Sequence, residues 1–274
     1  MLFVLVVFGI SVAAGGLGSL LGLGGGIVVV PALTLGLGVD IHLAIGASIV
    51  SVIATSSGAA AAYVRERMTN LRVAMFLEIG TATGAITGAF LAGVIATRWL
   101  YVVFGALMGY SALAMFSKRS HERHEVPASP LADRLDLHSE YFDEALGREV
   151  PYRVAGPARG LGLMYAAGAV SGLLGIGSGA LKVPAMDLAM RLPIKVSTAT
   201  SNFMIGVTAA ASAGIYFARG DIDPFIAGPV AVGVVAGATA GSRLLGRLHS
   251  TTIRTVFVVV LVWVSAQMLW KGLT

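Results

Sequence analysis

Two glycine-rich runs, Gly22-Leu23-Gly24-Gly25-Gly26 and Gly175-Ile176-Gly177-Ser178-Gly179, each open onto an apolar stretch that ends in Val-Pro-Ala. Glycine lets backbone approach a ligand closely. The first N–H groups of a helix lack intrahelical partners and carry partial positive charge. A pair of such starts, at Gly24, Gly25, Gly26, Gly177, Ser178 and Gly179, offers anion binding by bare peptide amides. Lys182 falls one turn into the second apolar stretch and would draw an anion there; its counterpart in the first is Val29. Ser48 and the run Thr200-Ser201-Asn202 supply hydroxyl and amide donors that hold an oxyanion without changing the charge. Glu78 and Asp187 lie inside apolar segments, where a carboxylate can relay protons or bind a coupling cation.

Each of these residues also has a packing reading. Glycines spaced four apart, Gly84/Gly88 and Gly237/Gly241, fit small-residue helix contacts, and the clustered runs could serve the same purpose. Lys182 could pair with Asp187, and Glu78 could sit opposite Arg65 or Arg72. Pro31 and Pro184 free a carbonyl and interrupt the helix, or simply kink it. Other chemistries fail sooner. Gly175 to Ala180 fits G-x-G-x-x-A, but no βαβ unit surrounds it, so no dinucleotide cofactor is implied. Ser178 has no histidine within an apolar segment to act as its base, which argues against a hydrolase and against an enzyme. His121, His124 and His138 are spaced too loosely for a metal site and read as solvated.

The elements that must position these residues repeat. A shift of 153 residues aligns the second half with the first, and 18 of the 55 positions from Gly9 to Tyr63 are then identical. Ser48 aligns with Ser201, Thr55 with Thr208 and Tyr63 with Tyr216. The chain is 56% hydrophobic and 12% charged, with mean hydropathy +0.85. A soluble domain carries about 25% charged residues, so the fold class is all-α integral membrane. Repeat one covers 1–118 and repeat two 156–274, each with five helical segments. Residues 119–155 between them hold basic residues, carboxylates and three of the five histidines, and read as a polar cytoplasmic linker. Ser139 to Leu146, followed by Gly147, fits a short capped helix there. With no cysteine there is no disulfide or thiolate chemistry. The net charge of +5 sits in short loops and is no nucleic-acid footprint.

The second segment of each repeat is about thirteen residues, or about 20 Å of helix, against a hydrocarbon layer of about 30 Å. Either it re-enters, giving four crossings and parallel repeats, or the glycine run completes the crossing, giving five and inverted repeats. With the linker inside, five crossings place eight basic loop residues inside and three outside; four crossings place five inside and six outside. The positive-inside rule therefore favours the inverted arrangement.

The run G-x-G-G-G-x-x-x-V-P-A, its second copy G-x-G-S-G-x-x-K-V-P-A and the following S-x-A-T-S-N-F resemble the TauE/SafE (sulfite exporter) family. That resemblance implies a multi-pass cell-membrane transporter of small sulfur-containing anions such as sulfite, thiosulfate or sulfoacetate. The partners implied are a small anion and the lipid bilayer, with a homodimer left open and no nucleic acid. An anion channel or uniporter, and less readily a membrane-embedded hydrolase, are the alternatives. Ala47-Ser48-Ile49 stands where the second repeat has Thr200-Ser201-Asn202, so a symmetric polar site is not expected.

Overall fold

A computed structural model describes residues 2–21, 25–65, 69–116, 129–143, 147–177, 179–245 and 250–274. The first half forms α1 (Leu2–Leu21), α2 (Gly26–Pro31) with a π-helical extension (Ala32–Gly36), α3 (Ile41–Arg65), α4 (Leu71–Val94) and α5 (Thr97–Phe116). The second forms α7 (Pro157–Leu174), α8 (Gly179–Met190), α9 (Ile194–Ala218), α10 (Pro224–Leu245) and α11 (Ser250–Leu273). These helices fall on the ten apolar segments. Four pairs of helix starts (26 and 179, 41 and 194, 71 and 224, 97 and 250) stand 153 residues apart.

The helices pack α1 on α10, α4 on α7, α5 on α11 and α3 on α9. Exchanging the two halves carries this set of pairs onto itself. Where equivalent helices meet, they run antiparallel. Ser265 Oγ donates to Gly105 O at 2.7 Å, while Gly272 at the end of α11 lies against Arg98 O at the start of α5. Gly46 of α3 abuts Asp221 O just beyond the end of α9, and Gly206 of α9 abuts Ser56 Oγ of α3. By contrast α4 and α7 run parallel, with Gly80 on Leu161, Gly84 on Tyr165 and Gly88 on Ala169. Gly168 and Gly172 return the contact onto Thr81 and Ala85. Without side chains in the way, backbones approach within touching distance, which is what holds helices together in lipid.

Large apolar side chains cover the outside, and polar side chains are buried within an apolar core. Met75, Ile79, Phe90, Val94, Phe217, Phe225, Val232, Trp263 and Trp270 face outward, while Ser48, Ser51, Thr81, Ser171, Lys182, Thr208 and Ser212 are buried. Several buried hydroxyls bond a carbonyl three or four residues back in their own helix, as Ser11 does to Val7 O at 2.7 Å and Ser111 to Leu107 O at 2.9 Å. This local bonding makes a hydroxyl tolerable at depth. Among the described residues, Leu71–Val94 and Lys195–Ala218 are each long and apolar enough to cross a bilayer.

The linker departs from expectation. Ser139–Asp143 is not a capped helix but a strand, β1, paired antiparallel with β2 (Arg148–Tyr152), and a short helix α6 (Pro130–Arg134) precedes it. Tyr141 and Val150 stand directly opposite each other and both are buried, while Phe142 and Glu149 face out. Alternation across two strands thus buries one face, which a single helix over this stretch would not do. Tyr141, Val150, Leu137 and Val154 pack on Val73, Leu77, Met186, Met190 and Val196 of the helical body. Nor is His138 solvated: its Nε2 is 2.8 Å from Asp133 Oδ1 and its Nδ1 accepts from Val154 N at 3.0 Å. His121 and His124 lie outside the described residues.

Asn70 ties this cover to the helices. Its Oδ1 caps α4 by accepting from Val73 N at 3.0 Å, and its Nδ2 donates to Leu137 O at 3.0 Å and Tyr152 Oη at 2.8 Å. Burial pushes the Tyr152 phenol above its ordinary pKa. Asn70→Ala is expected to cost about 2 kcal/mol, from a lost cap and stranded buried partners. Asn70→Asp, which keeps the cap oxygen and loses the two donors, should fall between; thermal unfolding in detergent orders the three proteins.

Candidate functional site

The two glycine breaks meet against α3. Gly25, at φ 71°, sits before α2, and its carbonyl accepts from Val28 N and Val29 N at 3.0 and 3.2 Å. Gly175 and Gly177, at φ 66° and 76°, turn the chain between α7 and α8, a region L side chains rarely enter. A Cβ on Gly26 would lie 2.6 Å from Ser48 Oγ and 3.1 Å from Gly175 O. Ser48 Oγ itself donates to Gly175 O at 2.7 Å. A hydroxyl from the first half therefore satisfies a carbonyl of the second half's break. A Cβ on Gly177 would meet Ile205 Cγ2 at 2.9 Å and Val52 Cγ1 at 3.1 Å, two residues equivalent under the shift. Gly25, Gly26, Gly177 and Gly179 are all buried; Gly24 and Ser178 lie outside the described residues.

Lys182 and Glu78, which nothing in the sequence pairs with each other, come together. Lys182 is fully buried. Its Nζ donates to Thr208 Oγ1 at 2.6 Å, and Thr208 Oγ1 donates in turn to Glu78 Oε1 at 2.8 Å. Helices α8, α9 and α4 each bring one member to this point. Lys182 is thus engaged with Glu78 through Thr208 rather than paired with Asp187, which is half-buried five residues along α8. Arg72, expected opposite Glu78, bonds Asp136 of the linker instead. Thr208 lies three residues beyond Ile205, one turn along α9 from the Gly177 contact.

The rest of the predicted donor set divides. Thr200 Oγ1 accepts from Asn70 N at 3.2 Å and so serves the linker side. The buried hydroxyls of Ser197 and Ser201 have no hydrogen-bond partner among the described residues, and Asn202 is buried beside them. In the sequence Thr208 lies seven residues beyond Ser201, as Thr55 does beyond Ser48, which puts both pairs of hydroxyls on one face toward the pathway. Nothing in one sequence, however, says that a lysine on α8 and a glutamate on α4 converge on Thr208. A second unread feature is Arg219, whose guanidinium bonds Asp221 Oδ2 and Ala89 O and lies over the Tyr216 ring at 4.5 Å. Tyr216 Oη in turn donates to Gly172 O at 2.6 Å in the last turn of α7, just before the break.

The family described as Sulfite exporter TauE/SafE matches this chain over residues 7–268. The chain belongs to the sulfite exporter TauE/SafE family. Membership covers both glycine breaks and both halves of the Lys182–Thr208–Glu78 cluster, and it agrees with the outward apolar faces in making this a membrane protein. The TauE/SafE chain is 28% identical over 277 residues to the probable membrane transporter protein YunE of Bacillus subtilis (strain 168), covering 98% of each. It is 28% identical over 271 residues to a probable membrane transporter protein of Xylella fastidiosa (strain 9a5c), covering 96% of this chain and 95% of the other. It is 26% identical over 258 residues to the probable membrane transporter protein YdhB of Bacillus subtilis, covering 93% and 94%. No solved structure matches it.

Proposed function

We propose that this chain is a multi-pass cell-membrane transporter that carries a small sulfur-containing anion, such as sulfite, thiosulfate or sulfoacetate, by alternating access. The observation that carries this reading is the meeting of two interrupted helices at the α3–α9 crossing, where Gly26 touches Gly175 O and Ser48 bridges the halves. Interrupted helices at membrane depth are tolerated only within protein or along a wet cavity, because unpaired peptide groups in lipid cost several kcal/mol each. Family membership supports the substrate class. The antiparallel pairing of α3 with α9 and of α5 with α11 supports inverted repeats, five crossings in each and a cytoplasmic linker. One half then rocks against the other about the crossing. In the conformation described, Val52 and Ile205 fill the space beside Gly177, which suits a state closed to the solute.

Reconstituted protein is expected to take up labelled thiosulfate, sulfite or sulfoacetate saturably, and unlabelled anion inside the vesicles should accelerate that uptake. Gly26→Val, which drives a side chain into Ser48 and Gly175, should remove the flux while leaving Gly36→Val, where a Cβ has open space, active. Flux that neither saturates nor responds to internal anion would make the protein a channel. No flux for any of the three anions would sink the transport reading.

A further inference from the structure

The cluster of Lys182, Thr208 and Glu78 has a counterpart that lacks its chemistry. Shifted by 153 residues, its positions become Val29, Thr55 and Ala231. The contact of α4 with α9 becomes that of α3 with α10, which is also made. On that side Thr55 Oγ1 bonds Ser51 O and Val52 O of its own helix, and Val29 is buried. One arrangement is therefore built twice, once with a lysine and a glutamate joined through a threonine and once with valine and alanine at those two positions. The fold does not need the charges, so their presence in one of the two arrangements calls for a use.

Three features of the cluster point to one. First, the ammonium of Lys182 is fully buried, and a buried cation must keep a counter-charge close. Among the described residues its hydrogen-bond partner is Thr208, so one of its three N–H groups is occupied and donor capacity remains. Second, Thr208 Oγ1 has one hydrogen and two acceptors in reach, Glu78 Oε1 at 2.8 Å and Met204 O at 2.8 Å. It can turn from the carboxylate to its own helix without loss. Third, Glu78 Oε2 is buried with no hydrogen-bond partner among the described residues, although Glu78 as a whole is only half-buried. That oxygen is where a proton can land.

We propose that Glu78, Thr208 and Lys182 form the coupling centre of the transporter, in which the anion and the Glu78 carboxylate compete for Lys182. The inference rests on the anion-transport reading above. With the site empty, Glu78 neutralises Lys182 through Thr208. When an anion takes the ammonium, Glu78 loses its counter-charge and accepts a proton from water at Oε2, while the Thr208 hydroxyl turns to Met204 O. The anion and about one proton are therefore bound together and moved together, by thermodynamic linkage. Among the described residues, no other charged group acts on Glu78 or Lys182. Met164 of α7 and Met204 of α9 belong with Leu77 to one buried apolar cluster, and Thr208 of α9 bonds Glu78. On α8, Asp187 is turned about 140° from Lys182 around the helix. Arg72 at the start of α4 is exposed and held by Asp136.

Proteoliposomes containing the full chain, loaded with a pH-sensitive dye and given thiosulfate under an inward proton gradient, test this. Wild type should acidify the lumen as thiosulfate enters, and the gradient should raise thiosulfate accumulation at least about tenfold. Glu78→Gln keeps the hydrogen bond and mimics the protonated acid. It should lose gradient-driven accumulation and lumenal acidification. Its melting temperature should rise more with thiosulfate than that of wild type, because the stranded ammonium gains a partner. A Glu78→Ala/Lys182→Val variant copies the uncharged arrangement; it should fold, bind thiosulfate weakly and carry no protons. Thiosulfate entry without proton entry in wild type overturns the coupling alone, as does unchanged acidification with Glu78→Gln. Absence of flux for thiosulfate, sulfite and sulfoacetate overturns the transport reading, and the coupling with it.

Discussion

Gly88→Leu is expected to leave no folded protein to purify. A Cβ at Gly88 would overlap the Ala169 carbonyl oxygen and lie 2.8 Å from Leu173 N, so the obstruction is main chain and cannot swing aside. Helices α4 and α7 would have to separate along their whole contact, because Gly80, Gly84, Gly168 and Gly172 hold the same seam. Overpacking a core ordinarily costs about 1–3 kcal/mol. Here the added volume falls on a backbone-to-backbone contact, and several interlocked positions lose contact together. Gly162→Ala on α7 is the matched control. Nothing lies within 4 Å of its Cβ, and a helical Gly→Ala change favours the helix by up to about 1 kcal/mol. Yield of monodisperse protein in detergent and its melting temperature separate the two. A stable Gly88→Leu protein would mean that the α4–α7 seam is not formed as described.

Which parts of this structure could be read from the sequence follows from which parts are local. The ten helices were visible because apolar length and duplication reinforce each other: each segment was seen twice, and Gly26 and Gly179 open their helices at the same offset. The four-residue glycine spacing at Gly84 and Gly88 was also legible as packing, since close approach is a property of one helix face; Gly237, likewise packed on Val12 and Gly16, shows the same rule. The hairpin at 139–152 was not, because its strands pair only with each other, and Ser139 and Gly147 imitate a helix cap and stop. The cluster of Lys182, Thr208 and Glu78 was half legible. Charges inside apolar segments announce themselves, but their meeting depends on three helices whose arrangement is set by glycine seams elsewhere. Lys182 was accordingly assigned to the glycine breaks, when the residue that engages it lies 26 positions away on α9.

The duplicated architecture predicts an inversion of the usual mutational order at this cluster: two substitutions together should be milder than one. Glu78→Ala leaves the Lys182 ammonium, fully buried, with the Thr208 hydroxyl and no counter-charge. Stranding one member of a buried pair costs about 3–5 kcal/mol. Lys182→Val strands a carboxylate that is only half-buried and can take a proton, so its cost should be smaller. The double variant recreates the Val29/Thr55/Ala231 arrangement already packed where α3 meets α10, and replacing buried opposite charges by apolar groups is often neutral or stabilising. Melting temperatures in detergent without anion are therefore expected to rank wild type and double variant together at the top, Lys182→Val below them and Glu78→Ala lowest. Additive losses in the double variant would show that the two charges do not interact. Thiosulfate should raise the melting temperature of Glu78→Ala most, since an anion can then replace the missing carboxylate beside Lys182.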